Sequence, residues 1–311
     1  MTTVTETPAA IEPAVEKRSR WSRAPMYLFI SLIALLWTIP SLGLLINSFR
    51  ESNSVRGRGW WTLFSTDGGW WKIWTIPGHL FSAANWTLGN YREVLSGQGF
   101  GNAFANSLAV TIPAVVIPIT IAAFAAYAFS WMRFPGRQVL FAMVVGLMVV
   151  PLQMALIPIL RMYTSFHVNG TFPAVWLAHA GFGLPLAVYL LRNYVGSLPS
   201  SIMESAEIDG ADHFTIFWRL VIPLSVPVLA SFAIFQFLWV WNDYLVALIF
   251  LGSDPRVQVL TFELATLNGR GEGAYALLPA AAFVTMILPM VVFFSLQRFF
   301  VRGLTAGSVK G

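Results

Sequence analysis

From Met26 onward the chain alternates long apolar runs with polar connections marked by glycine, proline and charge. The first run is Met26–Phe49, with Pro40 inside it. Others lie within 103–131, 139–160 and 172–191. A fifth extends from near Pro223 to about Leu251, and the last lies between Gly273 and Gln297. Crossing a bilayer takes about 20 mostly apolar residues in a helix, and lipid offers no partner to unpaired backbone groups. The pattern therefore predicts six transmembrane helices. The fold class expected is all-α, a polytopic membrane protein.

Three connections are long: 50–102, 193–219 and 252–272. The first holds six tryptophans, Trp60, Trp61, Trp70, Trp71, Trp74 and Trp86. It is expected to be an ordered extramembrane insertion resting partly at the lipid interface. The segments expected are a flexible cytosolic tail over 1–25, a first span over 26–49, the Trp-rich insertion over 50–102, a transmembrane core over 103–297 and a cytosolic tail over 298–311. A cleaved signal is not expected, because the first apolar run is too long and lacks a small-residue cleavage site.

Composition agrees with this reading. The 311 residues are 57% apolar and only 11% charged, against roughly 25% charged in a soluble domain. The net charge of +5 does not indicate nucleic acid, since basic residues are scattered at helix ends rather than gathered in a stripe. With no cysteine there is no disulfide scaffold and no thiolate metal site. Six crossings put both ends on one side. That side would hold eleven of the nineteen Lys and Arg, which favours both termini in the cytosol.

The segment Asn193–Trp218 would then face the cytosol, yet it has no Lys or Arg and carries Glu204, Glu207, Asp209 and Asp212. Ser201-Ile202-Met203-Glu204 reads as a capping box. Gly210 reads as a left-handed helix terminus, and Asp212 as the cap of a following helix. A two-turn helix, a glycine bend and a second helix leading into the fifth span are expected.

Glu204-Ser205-Ala206-Glu207-Ile208-Asp209-Gly210-Ala211, followed by Leu220-Val221-Ile222-Pro223-Leu224, resembles the EAA loop of ABC importer permeases. That loop reads Glu-Ala-Ala, three residues, Gly, nine residues, then Ile-x-Leu-Pro. Ser205, Leu220 and Ile222 are mild departures, and the spacing matches without gaps. The ending from Gln297 to Gly311, Phe134-Pro135-Gly136 and Trp241-Asn242-Asp243 are similar to the carbohydrate-uptake branch with the smaller maltose permease. Phe182-Gly183-Leu184-Pro185-Leu186 and the Trp-rich insertion most resemble α-glucoside permeases.

This resemblance implies a coupling helix, within a loop at about 197–219, that seats in a groove of a nucleotide-binding subunit. Glu204, Ser205, Ala206, Glu207, Asp209, Gly210 and Ala211 would make that contact. It also implies a second homologous permease, two ATP-binding subunits that hold ATP and Mg, an extracytoplasmic sugar-binding protein and a sugar as cargo. The chain itself would carry no cofactor, no metal and no catalytic residue, and would sit in a bacterial or archaeal cytoplasmic membrane. The segment Gly252–Glu272 would correspond to the loop that reaches into the binding protein's cleft.

Polar groups within spans are costly, so each is a functional candidate. Gln236, Trp239 and Asp243 share a helical face by their spacing. Together with Asn242, Tyr244 and Gln153 they form a candidate substrate path, with aromatic faces for sugar C–H surfaces and polar groups for hydroxyls. Asp243 can equally cap or pair structurally, and His179 and Gln153 read as interhelical hydrogen-bond partners. A secondary transporter driven by an ion gradient is the alternative; it would call for more ionisable groups in the membrane than this chain offers. No phosphate cradle of the Gly-x4-Gly-Lys-Ser/Thr type is present, nor a metalloprotease or hydrolase motif.

Overall fold

A computed structural model describes residues 24–51, 60–61, 86–97 and 99–305, with the side chains of 272–273 and 298–305 excepted. The expected tails and most of the Trp-rich insertion lie outside these residues. The chain divides into two units, 1–44 and 45–311. Helix α1 (Ala24–Ser48) is apolar on every side, which gives it no amphipathic stripe and suits it to lipid.

In the second unit, the backbone leaving α1 is clasped by the short helix α2 (Gly89–Arg92). Asn90 Nδ2 donates to the carbonyls of Ser48 and Arg50 at 3.0 and 2.8 Å, and the Ser48 and Tyr91 hydroxyls are 2.7 Å apart. An isolated bridge pairs Arg50 with Trp86, and there is no strand among the described residues. The all-α expectation holds.

The core is built on α3 (Phe100–Trp131) and α6 (Phe172–Val195). Small residues make up much of what the two helices bury: Ala114, Ala122, Ala123 and Ala126 on α3, and Ala174, Ala178, Gly183 and Ala187 on α6. Without a hydrophobic drive between helices in lipid, close backbone approach through small side chains supplies the attraction. Helix α9 (Ile222–Trp241) packs against both members of this pair, and α12 (Leu277–Thr305) packs chiefly on α9.

Two expected spans differ from their sequence reading. The third is not one helix. It is α4 (Arg137–Gly146), a tight turn at Leu147–Val149, and α5 (Leu152–Ser165), bent by 102°. Pro151 is the cause, since it lacks an N–H and holds Val150 in an extended conformation (ψ 116°). Five helices are long and apolar enough to cross a membrane, and six are reached if this bent pair counts as one span.

The fifth span begins ten residues earlier than expected, at His213 rather than Pro223. Helix α8 (His213–Ile216) passes through a wide π turn at Phe217–Val221 into α9. Pro223 would clash with the carbonyl four residues back in a regular helix, and the π turn absorbs that conflict. The same span stops at Trp241 rather than Leu251. Residues 242–244 break it, and α10 (Leu245–Leu251) follows.

The segment 252–272, a long connection in the sequence, is not an open loop. It contains α11 (Leu260–Gly269) and is strapped to α3. Asn106 Nδ2 donates to the carbonyls of Arg256 and Gln258 at 3.0 and 2.9 Å, and the Ser107 hydroxyl accepts from the Leu260 amide at 2.9 Å.

Candidate functional site

Helix α7 (Ser200–Ile208) forms where the acidic segment was read as helical. Its start differs from the expected capping box. Pro199 occupies the N-cap position, so Ser201 lies inside the first turn and makes no cap bond. The Ser205 hydroxyl instead donates to the Ser201 carbonyl at 2.8 Å.

The other end matches the sequence reading closely. Gly210 is left-handed (φ 80°), the Ala211 amide donates to the Ala206 carbonyl at 3.0 Å, and the Gly210 amide donates to the Glu207 carbonyl at 3.0 Å. These are the two bonds of a Schellman terminus, which glycine permits at no steric cost. Asp212 then caps α8 by accepting from the Thr215 amide at 2.8 Å. Hydrogen bonds from Thr215, side chain first and then backbone, hold the Asp212 carboxyl below the usual carboxylate range.

One face of α7 is seated and the other is free. Met203 is buried in a cluster with Tyr127 of α3, Leu191 and Val195 of α6, and Phe217. Ala206 and Ala211 lie partly covered beside it, while Glu204, Ser205, Glu207, Asp209 and Gly210 are exposed, as is Ile208 at 86%. Among the described residues no ion pair involves Glu204, Glu207 or Asp209.

The second group of candidates lies toward the opposite end of α9 and converges on His179 of α6. Gln236 is fully buried, and its Nε2 donates to the carbonyls of Ala114 and His179, both at 3.2 Å. The Trp239 ring meets the His179 imidazole edge-on at 5.2 Å. An Asp243 carboxylate oxygen is 3.6 Å from His179 Nε2, and the same oxygen accepts from the Ala247 amide at 3.1 Å, capping α10. The Thr261 hydroxyl donates to the Asp243 carbonyl at 2.6 Å, tying α11 to the break.

Gln236, Trp239 and Asp243 therefore converge as expected, but not on one helical face: the helix ends at Trp241, and Asp243 joins from the break. Asn242 and Tyr244 are exposed, Asn242 donating to the Leu238 carbonyl at 2.7 Å. Gln153 is exposed on α5, apart from this group. Trp239 also lines an apolar groove of about 440 Å³ at the bend of the third span, with Tyr163, Phe182 and Pro185. Sequence reasoning did not find Thr261 or the tie it makes, because nothing in a local window marks a threonine as a cross-element donor. No group of residues suited to holding a metal occurs among the described residues.

An apolar helical bundle, with one long helix broken at 242–244 and a short acidic helix exposed at one end, defines a polytopic membrane protein. The chain belongs to the binding-protein-dependent transport system inner membrane component family, whose model matches residues 108–306. It is 53% identical over 295 residues to the osmoprotective compounds uptake permease protein GgtD of Synechocystis sp., covering 94% of each chain. It is 44% identical to the alpha-glucoside transport system permease protein AglG of Rhizobium meliloti, covering 92% of this chain and 97% of the relative. Its fold matches a chain of a bacterial ABC transporter involved in the import of the acidic polysaccharide alginate. The TM-score is 0.70 at 20% identity, covering 93% of this chain and 100% of the other. The family assignment leaves the ion-gradient alternative without support.

Proposed function

We propose that this chain is the translocating subunit of an ATP-driven sugar importer, with α7 as the helix by which separate ATPase subunits move it. The carrying observation is the build of α7: a short helix anchored by Met203, ended by Gly210, and exposing an unpaired acidic face. A nine-residue helix is marginal alone and needs such packing to persist. Its exposed acids suit a basic partner groove, and the capped bend carries displacement into α8 and α9.

ATP and Mg are held by two partner subunits in this reading. A second homologous permease completes the pathway, and an extracytoplasmic binding protein delivers cargo at the α11 end. Both termini then lie in the cytosol with α7. The cargo proposed is an α-glucoside or other oligosaccharide, on the likeness to AglG. The likeness to GgtD favours a second reading, in which the cargo is an osmoprotective compound. Within the chain the substrate path runs past Trp239, Asn242 and Tyr244. Gln236 and Asp243 shape it through His179, and Gln153 flanks it.

Substitution at α7 tests the coupling role. Glu204→Lys places a cation on the acidic face, and Gly210→Pro forces φ from 80° to about −65°. Both variants are expected to insert in the membrane and to lose most ATP-dependent uptake. Normal uptake by both would refute α7 as the coupling element. Competition between labelled α-glucosides and osmoprotective solutes for uptake decides the cargo.

A further inference from the structure

The segment that follows the α7 bend is fastened to more than the helix it continues into. His213, the first residue of α8, has Nδ1 2.9 Å from the Tyr127 hydroxyl of α3. Tyr127 is 6% exposed, and His213 is the partner its hydroxyl meets at the edge of the cluster, near the acidic Glu207 and Asp212. The two rings meet edge-on at 6.0 Å, and Tyr127 meets Phe217 edge-on at 5.6 Å. Phe217 in turn stacks on Phe124, one turn back on α3, at 4.5 Å. A displacement of the bend therefore acts directly on α3.

Helix α3 is a continuous helix from Phe100 to Trp131. Some 30 Å along it from Tyr127, at about 1.5 Å per residue, Asn106 and Ser107 hold the backbone of 256–260 through the three hydrogen bonds described above. One rod thus connects the α7 bend to the strapped segment at the opposite end.

We infer that Tyr127 and His213 form a second transmission joint, through which movement of α7 reaches the α11 end along α3 in parallel with α9. Tyr127 is a positioning residue: it touches neither nucleotide nor cargo. The joint rests on the coupling role proposed for α7.

The test uses the complete transporter reconstituted in vesicles, measuring uptake and ATP hydrolysis together. Tyr127→Phe keeps the ring and removes the hydroxyl. His213→Leu removes the polar partner, and His213→Asn restores a polar atom at the same distance from the backbone as Nδ1. Uptake per ATP hydrolysed is expected to fall about fivefold in Tyr127→Phe and His213→Leu, the factor an ordinary hydrogen bond supports. It should stay within about twofold of the parent in His213→Asn, by the same reasoning.

An unchanged ratio in either Tyr127→Phe or His213→Leu overturns the joint. So does an equal fall in hydrolysis, uptake and membrane abundance in all three variants, which marks a purely structural bond. The underlying coupling role is checked separately: the chain has no cysteine, so Ile208→Cys alone can be cross-linked to a cysteine placed in the ATPase subunit. Loss of that cross-link in the parent background sinks the coupling role and the joint with it, whereas an intact cross-link with an unchanged ratio sinks the joint alone.

Discussion

Gly183 shows how tightly the interior is specified by a single residue. A Cβ added there would lie 2.5 Å from Gln236 Oε1 and 2.6 Å from Nε2. The Gln236 side chain would have to leave the carbonyls of Ala114 and His179, stranding buried polar groups at about 1–3 kcal/mol. Gly183→Ala is expected to lower the thermal midpoint in detergent by a matching amount. In a Gln236→Ala background the same change should cost less than half as much, the sign of direct coupling. Equal costs in the two backgrounds would rule the contact out as the reason for glycine. Gly183 was visible in the sequence only as part of a resemblance. Its partner is 53 positions away on another helix, and no local pattern encodes that meeting. The convergence on His179 was hidden for the same reason: helical spacing relates Gln236 to Trp239, but Asp243 reaches His179 from the break beyond the helix end.

At the scale of elements, legibility follows how local the cause is. The Gly210 terminus and the Asp212 cap are decided by neighbouring residues, and both were readable. The Ser201 cap was misread because Pro199 takes the cap position and the helix starts two residues sooner than the serine pattern implied. The bend at Pro151 and the wide turn before Pro223 have local causes too. Prolines inside membrane helices are often accommodated with little bending, so sequence alone does not say which one breaks a span. Pro113 and Pro118 leave α3 continuous. Helix α7 depends on one anchor, since Met203 is its buried residue. Met203→Ala is expected to cost about 2–5 kcal/mol of local stability, as for other core truncations. Faster hydrogen exchange confined to 200–210 should report it, while α3 and α6 keep their protection. Unchanged exchange over α7 would show that the helix is held by something other than Met203.

Seen whole, the molecule sets α7 beside one end of α3 and the strapped segment with α11 beside the other, and the apolar runs between them are legible in the hydropathy of the sequence. The number of apolar runs and the acidic loop between two spans fixed the architecture, because both are set by the solvent and not by packing partners. The proposed orientation puts α7 and α11 on opposite faces of the membrane. Single cysteines at Glu207 and Arg256, both exposed, test it in sealed right-side-out vesicles. An impermeant maleimide should label Arg256→Cys and spare Glu207→Cys until the vesicles are opened. Labelling in the reverse order would invert the molecule and remove its proposed motor-facing side.

The wide turn at Phe217–Val221 has a consequence for heading as well as for sterics. An α-helix turns about 100° per residue, so one residue accommodated in a broader coil resets the compass bearing of everything beyond it. The direction in which Gln236 and Trp239 point is thus chosen some fifteen residues earlier, beside the bend at which this protein is proposed to be driven.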